Sequence, residues 1–397
     1  MKASGPRESA PLGTAEDEGL RLREAAVSDC VAIAQLKARH GLVPDLSPFS
    51  EADCLGAYRH LFIDNPALLD CRGPVATGWV LHAADRVVGY LGSTPLVYRR
   101  GRDRFVAAAA CSFVVDTAYR SSSLLLASAF WRQKNVDLMM STTANYAAGK
   151  VFSAMKCQRI PSDDYDVALF WITGAREFVT AALRKQGLSA PLARAMALPV
   201  GPLVAGAERL FRRPPRRNGR GLDIDVVSLS DIGDEFDELW ERKCLENRYL
   251  LRCRDARSLS WHFARHAAND KSVEILRCRR EGRLAGYAIL TSEHNEKLGL
   301  KRSRITDLIA EADAPDVISV LVTQAYVLAA SRGSHVLEML GFPPAIRSAV
   351  AHSRPHLRQL PTWPLYYKVV DSHLAEDLRP EQWYVSALDG DTSLYAS

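Results

Sequence analysis

The chain has 397 residues, of which 47% are hydrophobic and 24% are charged, and its formal net charge is +5. This is enough material for two globular domains, each with its own core. The small positive excess does not mark the whole protein as a nucleic-acid binder, so no nucleic-acid partner is predicted. The eight cysteines form no C-x-x-C pair and no Cys/His cluster at metal spacing, which predicts reduced thiols in a cytoplasmic protein without a metal site.

The N-terminal segment, residues 1–19, is rich in Ala, Gly, Pro, Ser and charged residues. It lacks the apolar core of a signal peptide, so we predict a disordered leader. Arg and Asp interrupt the apolar runs elsewhere, and from this we expect no helix with the about 20 apolar residues needed to span a bilayer.

A local pattern occurs twice along the chain. Apolar and charged residues alternate at 19–23 and again at 221–225, and in both places a Ser-Asp pair and a helical periodicity follow. A polar turn between two apolar runs predicts a β-hairpin at 79–90 and a second one at 273–287. The same order at similar separations indicates a duplicated fold, with domains at 20–172 and 222–397.

The predicted linker, residues 173–221, is Ala/Leu-rich and then strongly basic. Its arginine run consists of Arg212, Arg213, Arg216, Arg217 and Arg220. One interpretation is a helical linker with a solvated basic turn. A second is an amphipathic segment that rests on the inner face of an anionic membrane as a peripheral contact. A nucleic-acid contact has less support, because no aromatic residues interleave the run for base stacking.

Residues 105–115 form an apolar run that predicts a central strand, and the run stops at Asp116. A turn of small residues follows, and an apolar helix continues from Leu124 to Trp131. Such a turn points several backbone N–H groups outward at the positive end of a helix dipole, which favours a phosphate site. The serines of the turn also occur at an ordinary helix start without a ligand, which is the alternative interpretation. A short strand at 136–140 and a helix at 147–155 complete the segment.

This order of elements resembles the cofactor half of the GNAT acetyltransferase family, whose central strand ends in V-D-P-x-Y-R-x-x-G-x-G/A. The matching residues here are Val115, Asp116, Tyr119 and Arg120, with Asn145 and Ala148 near the start of the next helix. The resemblance implies an α/β (α+β) fold of two GNAT-like domains, each with a mixed, mostly antiparallel central sheet flanked by helices. It also implies that turn amides bind the pyrophosphate of acetyl-CoA or another acyl-CoA. The implied cofactor-binding residues are Val114, Val115, Arg120, Ser121, Ser122, Ser123, Leu124, Leu125 and Asn145.

Several positions depart from the family pattern. The two small positions fall on Ser123 and Leu125, and the tyrosine that often serves as general acid falls on Phe152, which has no proton to give. In the second half, two carboxylates and a proline within residues 311–315 replace the phosphate turn, and we expect them to repel a diphosphate. Aromatic residues around Trp261 are expected either in the core or in an acceptor groove shared with the first half.

The predicted reaction is direct transfer of an acyl group from acyl-CoA to an amine or hydroxyl. The acceptor is expected to be a small molecule or a glycan-type compound such as a sugar or cell-envelope precursor. Ser112 and Asp116 are the candidate catalytic residues, acting through a water relay. Two alternatives remain open. One is an inactive GNAT-fold binding or scaffold protein, and the other is a FemX-like transferase that uses aminoacyl-tRNA.

Overall fold

The computed structural model describes residues 19–42, 50–142, 144, 146–160, 166–211, 221–268, 272–360 and 365–394. Within these ranges the chain forms sixteen strands and twelve α-helices. The predicted leader, the arginine run at 212–220 and Asn145 lie outside the described residues, apart from Gly19.

The strands, in chain order, are β1 (Leu20–Glu24), β2 (Gly78–Ala83), β3 (Arg86–Arg100), β4 (Asp103–Val115), β5 (Leu138–Ser141), β6 (Gln158–Arg159), β7 (Val167–Ile172), β8 (Leu222–Val227), β9 (Leu250–Arg252), β10 (Val273–Arg280), β11 (Arg283–Asn295), β12 (Leu300–Ala310), β13 (Val336–Met339), β14 (His356–Gln359), β15 (Tyr366–Val369) and β16 (Trp383–Tyr384).

The helices are α1 (Cys30–Arg39), α2 (Glu51–Phe62), α3 (Ser123–Phe130), α4 (Tyr146–Ala154), α5 (Ala175–Lys185), α6 (Ala190–Phe211), α7 (Asp234–Leu245), α8 (Ala256–Ala268), α9 (Pro315–Ser331), α10 (Pro344–Val350), α11 (Ser372–Asp377) and α12 (Asp391–Leu394).

Two mixed sheets with the same strand order form the frame of the molecule. The first runs β1-β2-β3-β4-β5-β15-β6, and β9 and β16 extend it from β3. The second runs β8-β10-β11-β12-β13-β7-β14. In each sheet the first four strands are antiparallel, and the fourth and fifth strands, β4 with β5 and β12 with β13, are parallel. The structure therefore has the predicted fold class, and the strands of the two sequence echoes occupy equivalent places.

The two sheets exchange one strand each. β7 follows β6 in the chain but joins the second sheet, between β13 and β14. β15 follows β14 but joins the first sheet, between β5 and β6. Strand pairing thus crosses the predicted boundary at residue 172 in both directions, and the division of the chain into 20–172 and 222–397 stays a prediction.

Apolar side chains cover both sheets. The first sheet packs α3 and α4 on one face through a core that contains Leu91, Ala108, Phe130 and Phe152. A larger core surrounds the second sheet and α9, and it also includes Val97 of the first sheet. Shared core residues of this kind tie the two halves together by burying apolar surface from both.

The predicted linker region contains the helix pair α5 and α6. α6 is a described helix that is long and apolar enough to cross a membrane by length and composition, over Ala190–Leu210. The expectation that no such stretch exists was wrong, because Arg194 is the single charged residue between positions 190 and 207.

Candidate functional site

The central strands of the first sheet separate at one end. β4 and β5 are paired through residues 107–110 and 138–141, and the pairing ends at Ala110 and Ser141. β4 continues to Val115, and over this part it pairs only with β3 among the described strands. Among the described residues this edge of β4 therefore has no strand partner, and it suits an extended ligand that can form strand-like hydrogen bonds.

A β-bulge marks the place where the strands separate. The register between β3 and β4 shifts between Tyr90 and Gly92, and Ser112 on the facing strand has a left-handed backbone with φ of 53°. This conformation is costly for a residue other than glycine, and it is typical of bulges that redirect a strand beside a functional site. After the bulge, Val114 packs beneath α1 and Val115 packs toward α3.

The turn predicted to bind phosphate lies directly after this open edge. Thr117–Ser122 form a short 3₁₀ helix that leads into α3, and no side chain caps the start of α3. Arg120 and Ser121 are exposed, Ser122 and Ser123 are half-buried, and Leu124 and Leu125 are about half exposed. The Tyr119 N–H donates to the carbonyl of Asp116 at 2.8 Å, and the Ser123 N–H donates to the carbonyl of Arg120. The turn therefore offers an anion its exposed outer side and the positive end of the helical segment, and Leu125 faces solvent instead of turning into the core.

Asp116 has a different environment from that of a general base. Its carboxylate lies 2.9 Å from His40 Nε2, 3.3 Å from Arg39 and 3.4 Å from Arg86. Burial raises the pKa of Asp116, but the hydrogen bond to His40 and the two arginine charges outweigh it and lower the pKa. A carboxylate stabilised in this way is a poor proton acceptor, and its contacts join α1 to the ends of β3 and β4.

Aromatic side chains lie beside the opening on the side of α4. Phe152 is buried, and its ring stacks on Phe113 of β4 and meets Tyr366 of β15 edge-on, with centroids 6.1 Å and 5.8 Å away. Tyr366 pairs with Ser141, the last residue of β5, and its hydroxyl lies close to Gly149 of α4. The C-terminal part of the chain thus supplies a phenol next to the buried ring of Phe152.

The equivalent opening in the second sheet is filled by the protein's own C-terminal segment. β12 separates from β13 after Ile305. The Ser386 hydroxyl then donates to Asp307 at 2.8 Å, and the Tyr384 hydroxyl donates to the carbonyl of Leu308. Arg254 pairs with the same Asp307 at 2.9 Å. The second half therefore presents no open strand edge at this place.

The turn after β12 is also occupied by side chains. The backbone N–H of Ala312 donates to Glu246 at 2.6 Å, so a carboxylate already lies where a phosphate oxygen would. Asp313 is buried and accepts from Lys243 at 2.6 Å and from Tyr249 at 2.8 Å. The acidic residues at 311–313 thus pair with side chains of α7 and of the segment that follows it.

A cavity of about 160 Å³ lies between the two halves. Its wall includes Leu96 of β3, which pairs with Ala107, three residues before the β4–β5 pairing ends. At about 3.3 Å per strand residue, the cavity begins about 10 Å from the opening. Its charged lining residues are Asp70, Arg104, Arg252, Asp255 and Arg257.

Trp261 also lines this cavity and donates its indole N–H to the carbonyl of His60 at 2.8 Å. Burial and the charge of Arg265 lower the pKa of His60 to about 4, so the imidazole that stacks on Trp261 is neutral at physiological pH. His262 and Phe263 are buried in the core. Of the aromatic residues considered for an acceptor groove, only Trp261 reaches the cavity.

No protein-family model matches this sequence, and no curated protein matches it either. Solved structures do. A GCN5-related N-acetyltransferase from Anabaena variabilis aligns over 88% of this chain and 73% of its own, with a TM-score of 0.55 and 11% identity. A GCN5-related N-acetyltransferase from Kribbella flavida aligns over 91% and 73%, with the same TM-score and identity.

The chain has the fold of the GCN5-related N-acetyltransferases. A conserved protein of unknown function from Enterococcus faecalis gives a similar result, with a TM-score of 0.54, 11% identity and coverage of 89% of this chain and 72% of its own. Because these alignments extend over most of the chain, they include both GNAT-like sheets. At 11% identity the likeness concerns the fold and leaves the activity to the site residues.

The binding and catalytic roles of the predicted site residues stay predictions, and two features beside them were not predicted from the sequence. The strand, the turn and Ser112 lie together where β4 separates from β5, whereas Asn145 lies outside the described residues. Tyr366 was missed because it lies 225 residues from Ser141, its strand partner, and no local pattern links them. The cavity was missed for the same reason, since its two walls come from different halves. No group of three potential metal ligands occurs among the residues that the structure describes.

Proposed function

We propose that the first half of the chain binds acyl-CoA and that the protein transfers the acyl group directly to an amine or hydroxyl. The main supporting observation is the edge of β4 beyond Ala110, which has no strand partner among the described residues and lies next to the exposed turn that leads into α3. Amide groups of pantetheine suit a free strand edge, and a diphosphate suits backbone N–H groups at the start of a helix. The aligned GCN5-related N-acetyltransferases support the same proposal by analogy.

In the proposed reaction, the acceptor nitrogen or oxygen attacks the thioester carbonyl carbon and loses a proton. Backbone N–H groups at the bulge, around Ser112, face the developing oxyanion. The carbon–sulfur bond then breaks, and the CoA thiolate takes up a proton. The product is an amide or ester together with free CoA, and no covalent enzyme intermediate is required.

Proton transfer is assigned to a water near Ser112 and to the phenol of Tyr366. Asp116 was a candidate base, but its three cationic neighbours favour a structural role. Tyr366 is the better candidate acid, because it carries an ionisable hydroxyl beside the ring of Phe152, the position at which the family usually has tyrosine.

The acceptor is assigned to the cavity between the halves. Its wall carries both carboxylates and guanidinium groups, with Asp70 and Arg104 paired at 2.6 Å and Asp255 nearby. A cavity of about 160 Å³ with such a wall fits a small polar acceptor, such as an amino compound or a sugar unit.

Calorimetric titration of the full chain with acetyl-CoA tests the proposal. Ser121→Glu places a negative charge at the exposed turn, and we expect it to weaken acetyl-CoA binding at least tenfold by repelling the diphosphate. Ser331→Glu at the end of α9 makes the same change at an exposed site in the second half, and it should leave binding unchanged. Release of free thiol in the presence of a panel of amines and amino sugars then measures transfer.

The rival functions give different results. If the protein binds acetyl-CoA but transfers the acyl group to no acceptor, a binding or scaffold protein is favoured. Phe152 in place of the usual tyrosine agrees with that outcome. No heat with acetyl-CoA at millimolar concentration, but salt-sensitive binding of tRNA, would favour a FemX-like transferase instead.

A further inference from the structure

Helix α6 has an unusual distribution of side chains. It packs on α5 through small residues, since Ala193 and Ala197 are fully buried and Gly201 lies against Arg176. Its large apolar side chains point away from the protein. The most exposed of them, with their exposed fractions, are Leu192 (52%), Met196 (45%), Leu198 (54%), Leu203 (73%) and Leu210 (80%).

A surface helix normally directs its apolar side toward the core and its polar side toward water. In α6 the buried positions carry small residues, and the large apolar side chains face solvent. Over 191–203 the exposed positions carry one charge, that of Arg194. The acidic residue of the helix, Glu208, faces the protein and contacts His356 of β14 at 2.8 Å. An outward apolar face of this length marks an interaction surface.

Charge indicates what covers this face. Residues 175–220 contain ten Lys or Arg residues and two acidic ones, whereas in the rest of the chain acidic residues outnumber basic ones, 44 to 41. Five of the arginines follow α6 directly, at positions 212–220. A second copy of the chain would bring two such basic segments together, and their repulsion disfavours self-association through this face.

We propose that α6 lies in the surface of an anionic lipid bilayer, with its apolar face among the acyl chains and its arginines at the lipid phosphates. An apolar helix face beside a polybasic segment is the combination that binds such membranes. Spanning the bilayer is disfavoured although α6 is long enough, because α5 packs along it and would carry Arg176, Arg184 and Lys185 into the hydrocarbon. The membrane contact is independent of the proposed acyl transfer, and either can hold without the other.

Vesicle flotation of the full chain tests this inference. The probes are vesicles of phosphatidylcholine alone and vesicles in which roughly a third of the lipid is phosphatidylglycerol. We expect the bound fraction to be at least tenfold higher on the anionic vesicles and to fall as salt is raised. Equal binding to both vesicles, or no binding to either, would overturn the proposal.

Three variants separate the contributions of the surface. Combining Leu192→Ser, Met196→Ser and Leu203→Ser removes the apolar face, and changing the five arginines at 212–220 to Gln removes the charge. Each change should reduce binding to anionic vesicles at least tenfold. The matched control combines Ile63→Ser, Leu245→Ser and Val327→Ser, which are equally exposed elsewhere, and it should bind like the wild type. Melting temperatures check that all three variants fold.

Two further outcomes would assign the surface to another occupant. Light scattering that shows a dimer in the wild type and a monomer in the α6 variant would make the face a self-interface. The protein could instead bind tRNA but not vesicles, and lose tRNA binding when the five arginines are changed. That result would identify the segment as a nucleic-acid contact. Either result excludes the lipid surface.

Discussion

At the end of β4, one carboxylate shows how a residue can match a family pattern and still act structurally. Asp116 follows Val115 as the pattern requires, yet its oxygens are held by His40, Arg39 and Arg86. These contacts attach α1 to the strand that precedes the proposed cofactor turn. The residue type suggested a catalytic base, whereas the three cationic neighbours in the folded protein indicate a structural role.

Replacing Asp116 with Asn tests this role. We expect the free energy of unfolding to fall by about 1 kcal/mol at neutral pH, because the partners lose a partly buried charged acceptor while solvent screens the two arginines. The pKa of Asp116 is lower in the folded than in the unfolded chain, so its contribution is present above about pH 4 and disappears as the pH falls through the folded pKa. The stability difference from the wild type, measured by denaturant unfolding, should therefore shrink in acid. Loss of transfer activity at unchanged stability would instead identify a general base.

At the scale of elements, the contact between α4 and β15 links parts of the chain that lie more than 200 residues apart. A Cβ atom at Gly149 would lie 2.7 Å from the Tyr366 hydroxyl and 3.2 Å from its ring. The absence of a side chain at position 149 thus allows α4 to approach the exchanged strand, and it keeps the phenol beside the opening.

Gly149→Ala should therefore destabilise the protein by about 1–3 kcal/mol through overpacking, although alanine is the better helix former. Adding Tyr366→Phe removes the nearest atom and should recover part of this loss. Denaturant unfolding of the two single variants and the double variant gives the coupling. A stability of Gly149→Ala equal to or above that of the wild type would mean that α4 and β15 are not in close contact.

At the scale of the whole molecule, a buried ion cluster joins both sheets to the C-terminal segment. Arg254 is fully buried directly after β9, and it pairs with Asp307 of β12 at 2.9 Å and with Asp389 at 3.1 Å. Next to it, Arg252 donates to the carbonyl of Leu388 at 2.7 Å. The segment that fills the second opening is thus held by charges from the strand that extends the first sheet.

Arg254→Met leaves two buried carboxylates without their cation, and we expect it to cost about 3–5 kcal/mol. The surface pair of Arg332 and Glu274 provides the control, since Arg332→Met at an exposed site should cost less than about 1 kcal/mol. Combining Arg254→Met with Asp307→Asn should recover part of the loss, because Asp389 then keeps the charge of the neighbouring Arg252. Thermal unfolding measures all three, and a negligible effect of Arg254→Met alone would contradict the role of the cluster.

The sequence by itself determined the elements and their duplication. The strand at 105–115, the turn with Ser121 to Ser123 and the apolar helix after it follow from apolar periodicity and from small residues at the turn, which act over short distances along the chain. The GNAT-like fold could be predicted on this basis, and so could the location of the proposed cofactor turn.

Only the tertiary structure shows which of the two sheets has a central strand edge that is not filled by the C-terminal segment. Nothing near residue 305 indicates that the C-terminal segment fills the second opening, and nothing near residue 141 indicates that Tyr366 lies beside the first. The cavity between the halves and the outward apolar face of α6 likewise depend on packing partners that are far apart in the chain. The local sequence pattern predicts which helix or strand forms. Contacts between distant segments depend on the burial and strand pairing that exist only in the complete fold.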